Sequence, residues 1–300
     1  MSLFHLRPHT IVLSGGGVRA LAHIGALEEL EAHKILSKVK KWVGLSAGAL
    51  VAFTMTIGYS IKELHDICER IDFEILQDLE EGLPFTFFDT FGMDSGQKLR
   101  KFLAALLTVR GFSATTTFEQ LAAKRPNTQL QIYATDLHTG TSRCFSAADT
   151  PAIILVDALQ ASMALPIYFK PIVDPETGHS LTDGGVMGLY PRALVNDMPD
   201  DKGVLGLILS PLLIYNDSPK TLHDFIIRIF NLFTESRNRE QYAQFRDTTI
   251  LIEADAMSPV DFKMSSEMRT SLFTAGQNAA QQYLQKLSNK LSAPVRRHSL

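Results

Sequence analysis

The stretch Trp42-Val-Gly-Leu-Ser-Ala-Gly-Ala-Leu50 constrains the fold of this 300-residue chain more than any other. A short apolar run ends at Gly44, Ser46 stands between Gly44 and Gly48, and small apolar residues continue to Ile57. A strand that stops at a sharp turn and passes at once into a helix is the arrangement of a nucleophile elbow, which pushes a serine hydroxyl clear of the backbone. Gly44 and Gly48 suit such a turn because a Cβ at either position would collide with neighbouring backbone. The segment 47–57 is apolar on all sides, which predicts a helix buried within the fold. The pentapeptide by itself recurs by chance, so its chemistry depends on whether the chain also supplies a base and donors for an oxyanion.

The remaining sequence continues the alternation of strand and helix. A strand at 9–13 runs into Ser14-Gly15-Gly16-Gly17, after which Val18, Leu21, Ala22, Gly25, Leu27 and Leu30 recur at helical spacing. A second strand, 41–43, leads to the elbow. Ser60 and Glu63 form a capping box that starts a helix running to about Asp72. Further helices are expected at 95–109, from a cap at Thr117, and from Asp149-Thr150-Pro151 to before Pro166, with proline at a position where its absent N–H does no harm. Strands are expected at 130–135, 142–145, 203–209 and 248–253, with an extended hairpin over 170–183 that delivers Asp183 at a strand end. The helix over 220–245 carries Leu222, Phe225, Ile226, Ile229, Phe230 and Phe233 on one face, expected to be core, with an interfacial face as the alternative, and a last helix covers 266–291. Phe85, Phe87, Phe88, Phe91 and Met93 crowd the loop 83–96, as an acyl-pocket lining, a lipid contact or a core plug. This order predicts an α/β fold, a three-layer α/β/α sandwich around a mainly parallel central sheet. One domain is expected over 1–291, with a disordered tail at 292–300.

Composition narrows the function. A net charge of −3, with no long Lys/Arg block, gives no electrostatic case for nucleic acid. Cys68 and Cys144 cannot form a disulfide framework and lack metal-ligand spacing, so no metal is expected. The N-terminus lacks signal-peptide architecture, and the uncharged run 42–61 is too weakly apolar, with Gly44, Ser46, Gly48 and Gly58, to span a bilayer. A cytoplasmic protein is expected, with peripheral contact to membrane surfaces left open.

Three segments offer the parts of a serine esterase. Gly15, Gly16 and Gly17 lie at the start of a helix, where free N–H groups suit a developing negative charge. Ser46 is the candidate nucleophile. Asp183-Gly184-Gly185 places a carboxylate at a strand end beside glycines that admit close backbone approach. The glycine loop also satisfies a dinucleotide fingerprint through Gly15, Gly17 and Ala20, but lysines stand where an acidic ribose ligand belongs. A conventional triad would draw on His223, and a regulatory or lipid-binding role on a decayed scaffold would need none of these segments together.

Gly-Gly-Gly-Val-Arg-Ala at 15–20, Gly-Leu-Ser-Ala-Gly at 44–48 and Asp-Gly-Gly at 183–185, in that order, resemble the patatin-like phospholipase family. Tyr133-Ala-Thr-Asp-Leu137 with Thr139-Gly140, and Ala161-Ser-Met-Ala-Leu-Pro166 before Tyr168-Phe169, resemble intervening segments of its bacterial-type members. The resemblance implies Ser46 as nucleophile, Asp183 as base without a histidine, and an oxyanion hole from the N–H groups of Gly15, Gly16 and Gly17. Arg19 matches the family's basic position, to orient the glycine loop or meet lipid phosphate, while Gly44, Gly48, Gly184 and Gly185 support the motifs. It implies hydrolysis of acyl esters in phospholipids or related lipids, of phospholipase A or lysophospholipase type, without a cofactor. Two positions depart from the pattern: Ala20 stands for a usual glycine, and Leu189-Tyr190 precedes Pro191 where Asn-Pro is common.

Overall fold

A computed structural model describes residues 7–78, 89–195, 203–211, 218–254 and 261–292. The strands are β1 (Thr10–Leu13), β2 (Lys41–Leu45), β3 (Gly92–Asp94), β4 (Gln129–Asp136), β5 (Thr141–Ser146), β6 (Ile167–Phe169), β7 (Ile172–Val173), β8 (Ser180–Asp183), β9 (Val204–Pro211) and β10 (Thr249–Ala254). The helices are α1 (Leu21–Ala32), α2 (Ala47–Ile57), α3 (Ile61–Arg70), α4 (Gln97–Val109), α5 (Phe118–Lys124), α6 (Leu155–Ser162), α7 (Leu222–Phe245) and α8 (Ser266–Ser292).

An eight-stranded sheet runs in the order β10-β9-β1-β2-β4-β8-β7, with β5 also on β4. The ladders from β10 to β4 are parallel, and those made by β5, β7 and β8 are antiparallel. Side chains alternate between the two faces. Ile11 and Leu13 join the large core with Trp42, Leu207 and the helices α1 and α2, whereas Val12 joins a smaller core with Val43, Leu45 and Ile208. Both faces are buried, so the inner strands read as continuous apolar runs.

The long strand β4 positions the site. It pairs with β2 through 129–133 and with β8 through 134–136, while β5 lies along 131–136 on its other edge. Because β2 runs parallel and β8 antiparallel to β4, the two approach each other along one edge and meet at their C-terminal ends. Leu45 stands opposite Tyr133 and Asp183 opposite Ala134. The residue after Leu45 is Ser46, so the register of one strand brings together an elbow and an aspartate that lie far apart in the sequence.

Four expectations are corrected or limited. The helix expected from Asp149 starts at Leu155, because the preceding backbone is engaged elsewhere. Thr150 N–H donates to the Ser146 carbonyl at 2.9 Å, Ile154 bridges to Thr117, and Leu155 N–H donates to the Thr116 carbonyl at 3.0 Å. The short parallel pair β3–β6 was not expected. The stripe on α7 is not a core face: Phe225, Ile229 and Phe233 are exposed, and the Leu222 and His223 side chains lie outside the description. In the aromatic loop, Phe91 is exposed and Met93 packs partly on the core, while Phe85, Phe87, Phe88 and tail residues 293–300 lie outside the described residues.

Candidate active site

Ser46 occupies φ 52°, ψ −133°, a region that side-chain-bearing residues seldom adopt. Its backbone is fixed on both sides. The Ser46 N–H donates to Ser162 Oγ at 2.8 Å, and Ser162 Oγ donates to the Tyr133 carbonyl at 2.7 Å. The Ser46 carbonyl accepts the Ala49 N–H at 2.9 Å as α2 begins. Ser162 is fully buried at the end of α6, so it clamps the elbow to β4.

The elbow closes tightly enough to exclude side chains at both glycines. A Cβ on Gly44 would lie 2.5 Å from the Gly48 carbonyl, and one on Gly48 would lie 2.4 Å from the carbonyl oxygen of Ser14, the residue that follows β1. Backbone cannot give way as a flexible side chain can. Gly48→Ala should therefore cost about 3 kcal/mol or more, read as a loss of thermal stability or of soluble folded protein.

Asp183 ends β8 and is 1% exposed. Its Oδ1 accepts the Gly185 N–H at 2.7 Å, and its own N–H donates to the Ala164 carbonyl at 2.8 Å. Thr135 Oγ1 donates to the Asp183 carbonyl at 2.9 Å, which completes the fixation of the strand end. Burial pushes the Asp183 carboxyl up to about 6, against hydrogen bonds from the Ser46 hydroxyl and the Gly185 N–H that favour the carboxylate. The Asp183 carboxyl thus lies buried beside the elbow, with its basicity raised toward neutral pH. Gly184 and Gly185 make this approach feasible: a Cβ on Gly184 would lie 2.5 Å from the Tyr133 carbonyl.

The glycine loop divides its labour. Gly15 N–H donates to the Leu189 carbonyl at 2.8 Å and so is already engaged. A Cβ there would stand 3.1 Å from Ser46 Cβ, so Gly15 supplies room beside the nucleophile. Gly16 and Gly17 lead the 3-10 turn Gly17–Ala20, where the first N–H groups of a helical turn have no partner within it. Arg19 is buried and donates from Nε to the Gly16 carbonyl at 3.1 Å. It orients the loop instead of reaching solvent. His23 lies behind the loop, fully buried, with Nε2 2.9 Å from the Ser14 carbonyl; desolvation lowers its pKa to about 4 and keeps the ring neutral.

Gly16, Gly17, Arg19, Ser46 and Asp183 line one cavity of about 1270 Å³, open mouth included. Its other walls are almost wholly apolar, with Leu50, Phe73, Phe102, Met163, Phe230 and Phe262 among them. No histidine is among the described lining residues. Among the described residues there is also no group of three His, Cys, Asp or Glu placed to hold a metal ion. The role of Ser162 and the walls Phe73, Phe102 and Phe262 were not singled out in the sequence: the spacing of Ser162 carries no signal until α6 is folded against β4, and the walls come from segments scattered along the chain.

The sequence matches the patatin-like phospholipase family over residues 11–194, which spans β1, the glycine loop, the elbow and the Asp-Gly-Gly turn. The chain belongs to this family. The patatin-like region thus contains every residue of the site except the walls contributed by Phe230, Asn231 and Phe262. Similar sequences extend over nearly the whole chain. A probable lipid hydrolase of Invertebrate iridescent virus 6 is 25% identical over 92% of this chain and 90% of its own length. An uncharacterised protein of Acanthamoeba polyphaga mimivirus is 27% identical over 93% and 94%. In fold, the chain is similar to VipD from Legionella pneumophila, with a TM-score of 0.66, 16% identity, and coverage of 93% of this chain and 67% of VipD.

Both departures from the patatin-like pattern have a place in this fold. Ala20 has φ −62°, ψ −12°, a helical conformation that needs no glycine. Leu189 holds Gly15 through its carbonyl, and the buried Tyr190 hydroxyl lies 2.9 Å from Thr249 Oγ1 on β10. These contacts tie the turn after Asp183 to the glycine loop and to the sheet.

Proposed function

We propose that this patatin-like protein hydrolyses acyl esters of glycerolipids, with Ser46 as nucleophile and Asp183 as its base. The observation that supports this reading is a buried carboxyl next to the elbow serine at the wall of an apolar cavity. Ser46 Oγ attacks the ester carbonyl carbon while its proton passes to Asp183. The carbonyl oxygen gathers negative charge, and the Gly16 and Gly17 N–H groups, with the N-terminus of α2, stabilise it. Collapse of the intermediate breaks the ester C–O bond, and Asp183 returns the proton to the departing alcohol, a lysolipid when the substrate is a phospholipid. Water then attacks the acyl-Ser46 ester with Asp183 again as base, and a fatty acid leaves. The apolar walls suit the acyl chain. No cofactor enters the scheme. Among the described residues no helix is long and apolar enough to cross a membrane, which suits a protein that meets lipid at a cytoplasmic membrane surface.

Short-chain nitrophenyl esters and phospholipid vesicles, presented to the purified protein, test the reading. Turnover of either should vanish in Ser46→Ala. If neither is turned over and the substitution changes nothing, the reading fails. The base must be ionised, so kcat/KM should rise with pH through about 6 and fall about tenfold per unit below it.

Ser162 should act through the elbow. Ser162→Ala leaves the half-buried Ser46 N–H and the buried Tyr133 carbonyl without their shared partner. A fall in kcat of about 10-fold or more with KM changed little is expected, because the cavity walls remain. Equal kcat in the variant would remove Ser162 from this role.

A further inference from the structure

Helix α7 reverses the usual order of an amphipathic helix. Phe225, Ile229, Leu232 and Phe233 are 49%, 45%, 56% and 69% exposed, and their spacing places them on one face over two to three turns. The face turned inward carries Asn231, Thr234, Glu235 and Asn238, all buried. Glu235 Oε1 accepts from Ser210 Oγ at 2.7 Å, and neither amide atom of Asn238 has a hydrogen-bond partner among the described residues. Burying polar groups while exposing two phenylalanines is unfavourable in water, so the outer face is built for a different surrounding.

Two observations say what that surrounding is. First, the exposed stripe is continuous with the cavity that holds Ser46 and Asp183. Phe230 and Asn231, which follow Ile229 directly, are cavity walls. The 3-10 turn Phe73–Leu76 repeats the pattern, with Phe73 and Leu76 in the wall and Ile75 exposed. Two separate elements thus contribute both cavity wall and adjoining exposed apolar side chains. Second, the charges of α7 are mixed in sign along the helix, with Asp224, Glu235 and Glu240 among Arg228, Arg237 and Arg239, and the buried Glu235 is paired with Arg239 at 2.9 Å. It offers a charged partner no block of one sign, and an apolar phase a broad contact.

We propose that the outer face of α7 docks on a phospholipid bilayer by burying Phe225, Ile229, Leu232 and Phe233 among the lipid chains, so that lipid passes from the bilayer into the cavity past Phe230. The passage of substrate rests on the lipid hydrolase reading; the docking itself does not. Attachment is apolar, so it does not require anionic lipid.

The test uses the full chain in a Ser46→Ala background, which keeps the lipid intact and separates docking from turnover. Phe233→Trp places a reporter on the face, and the chain's one native tryptophan, Trp42, is buried in β2. Vesicles of brominated phosphatidylcholine should quench the fluorescence of the introduced indole and leave that of the parent protein unchanged. The combined Ile229→Gln, Leu232→Gln, Phe233→Gln variant keeps good helix formers at exposed positions and should lose at least about tenfold in sedimentation with phosphatidylcholine vesicles. Raising salt from about 0.1 to about 0.5 M should change binding of the parent less than about twofold. On the Ser46 enzyme, the same three substitutions should reduce hydrolysis of vesicle lipid at least about tenfold and leave that of a dispersed short-chain ester within about twofold. An unquenched reporter, undiminished vesicle binding by the triple variant, or binding abolished by salt would overturn the proposal. So would a parent dimer that the triple variant converts to monomer with no change in vesicle binding, since a second copy would then be what covers the face.

Discussion

Asp183→Asn should abolish most ester hydrolysis while making the fold more stable. A carboxamide cannot accept the Ser46 proton, and loss of a positioned general base costs about 10³-fold in kcat. The stability gain comes from removing a buried charge. Asp183 is almost wholly shielded from solvent, and burial raises its carboxyl from 3.8 to about 6. A carboxyl whose folded-state value lies above its unfolded value favours the folded protein when protonated. That contribution is fully present below about 3.8 and is lost as pH rises through about 6. Above that range the ionised side chain costs roughly 3 kcal/mol relative to its protonated form. Asparagine carries no charge, and its carbonyl can still accept the Gly185 N–H. Urea unfolding should accordingly place Asp183→Asn above the wild type at pH 8, by up to roughly 3 kcal/mol, and near it at pH 4. A less stable variant at pH 8 would mean that the carboxylate holds the site together more than its burial weakens it.

Ser46→Ala should have the larger effect on activity, a loss of about 10⁴-fold or more, since the elbow then presents no hydroxyl to attack the ester. The fold should survive. The strained backbone at Ser46 is held by Ser162 and Ala49 through backbone atoms that alanine retains. The lost hydroxyl is one of two hydrogen bonds that favour the Asp183 carboxylate, so the carboxyl should move further up in this variant. A pH titration followed by NMR of the Asp183 carboxyl would detect the shift. Stability at pH 8 then separates the two substitutions, because Ser46→Ala should weaken the protein there while Asp183→Asn strengthens it.

Much of this site was legible in the sequence because its parts are backbone features. Gly44 and Gly48 announce a turn that tolerates no Cβ, the Ser60–Glu63 box is realised at the start of α3, and β1, β2, α2 and the β7–β8 hairpin fall close to where their patterns put them. The partnership of Ser46 with Asp183 came from resemblance alone. What brings them together is the register of β4, and a register along an edge shared by two opposed strands leaves no mark on local composition. Gly15 shows a finer limit: the sequence offers three equivalent glycines, and the long-range bond to Leu189 withdraws one N–H. The core reading of the α7 stripe fails, and the interfacial alternative stands, for a physical reason. Periodicity reports that a helix has an apolar face, but the direction of that face is decided by its neighbours, and here the polar stripe through Asn231, Glu235 and Asn238 turns inward.

The most direct test of the central claim is modification by an activated fluorophosphonate, with the adduct located by mass spectrometry and its rate measured in wild type, Asp183→Asn and His223→Ala. A single adduct on Ser46 is predicted, formed about 100-fold or more slowly in Asp183→Asn and at the wild-type rate in His223→Ala. An adduct at another residue, an Asp183→Asn protein that reacts as fast as the wild type, or a His223→Ala protein that does not react would contradict it.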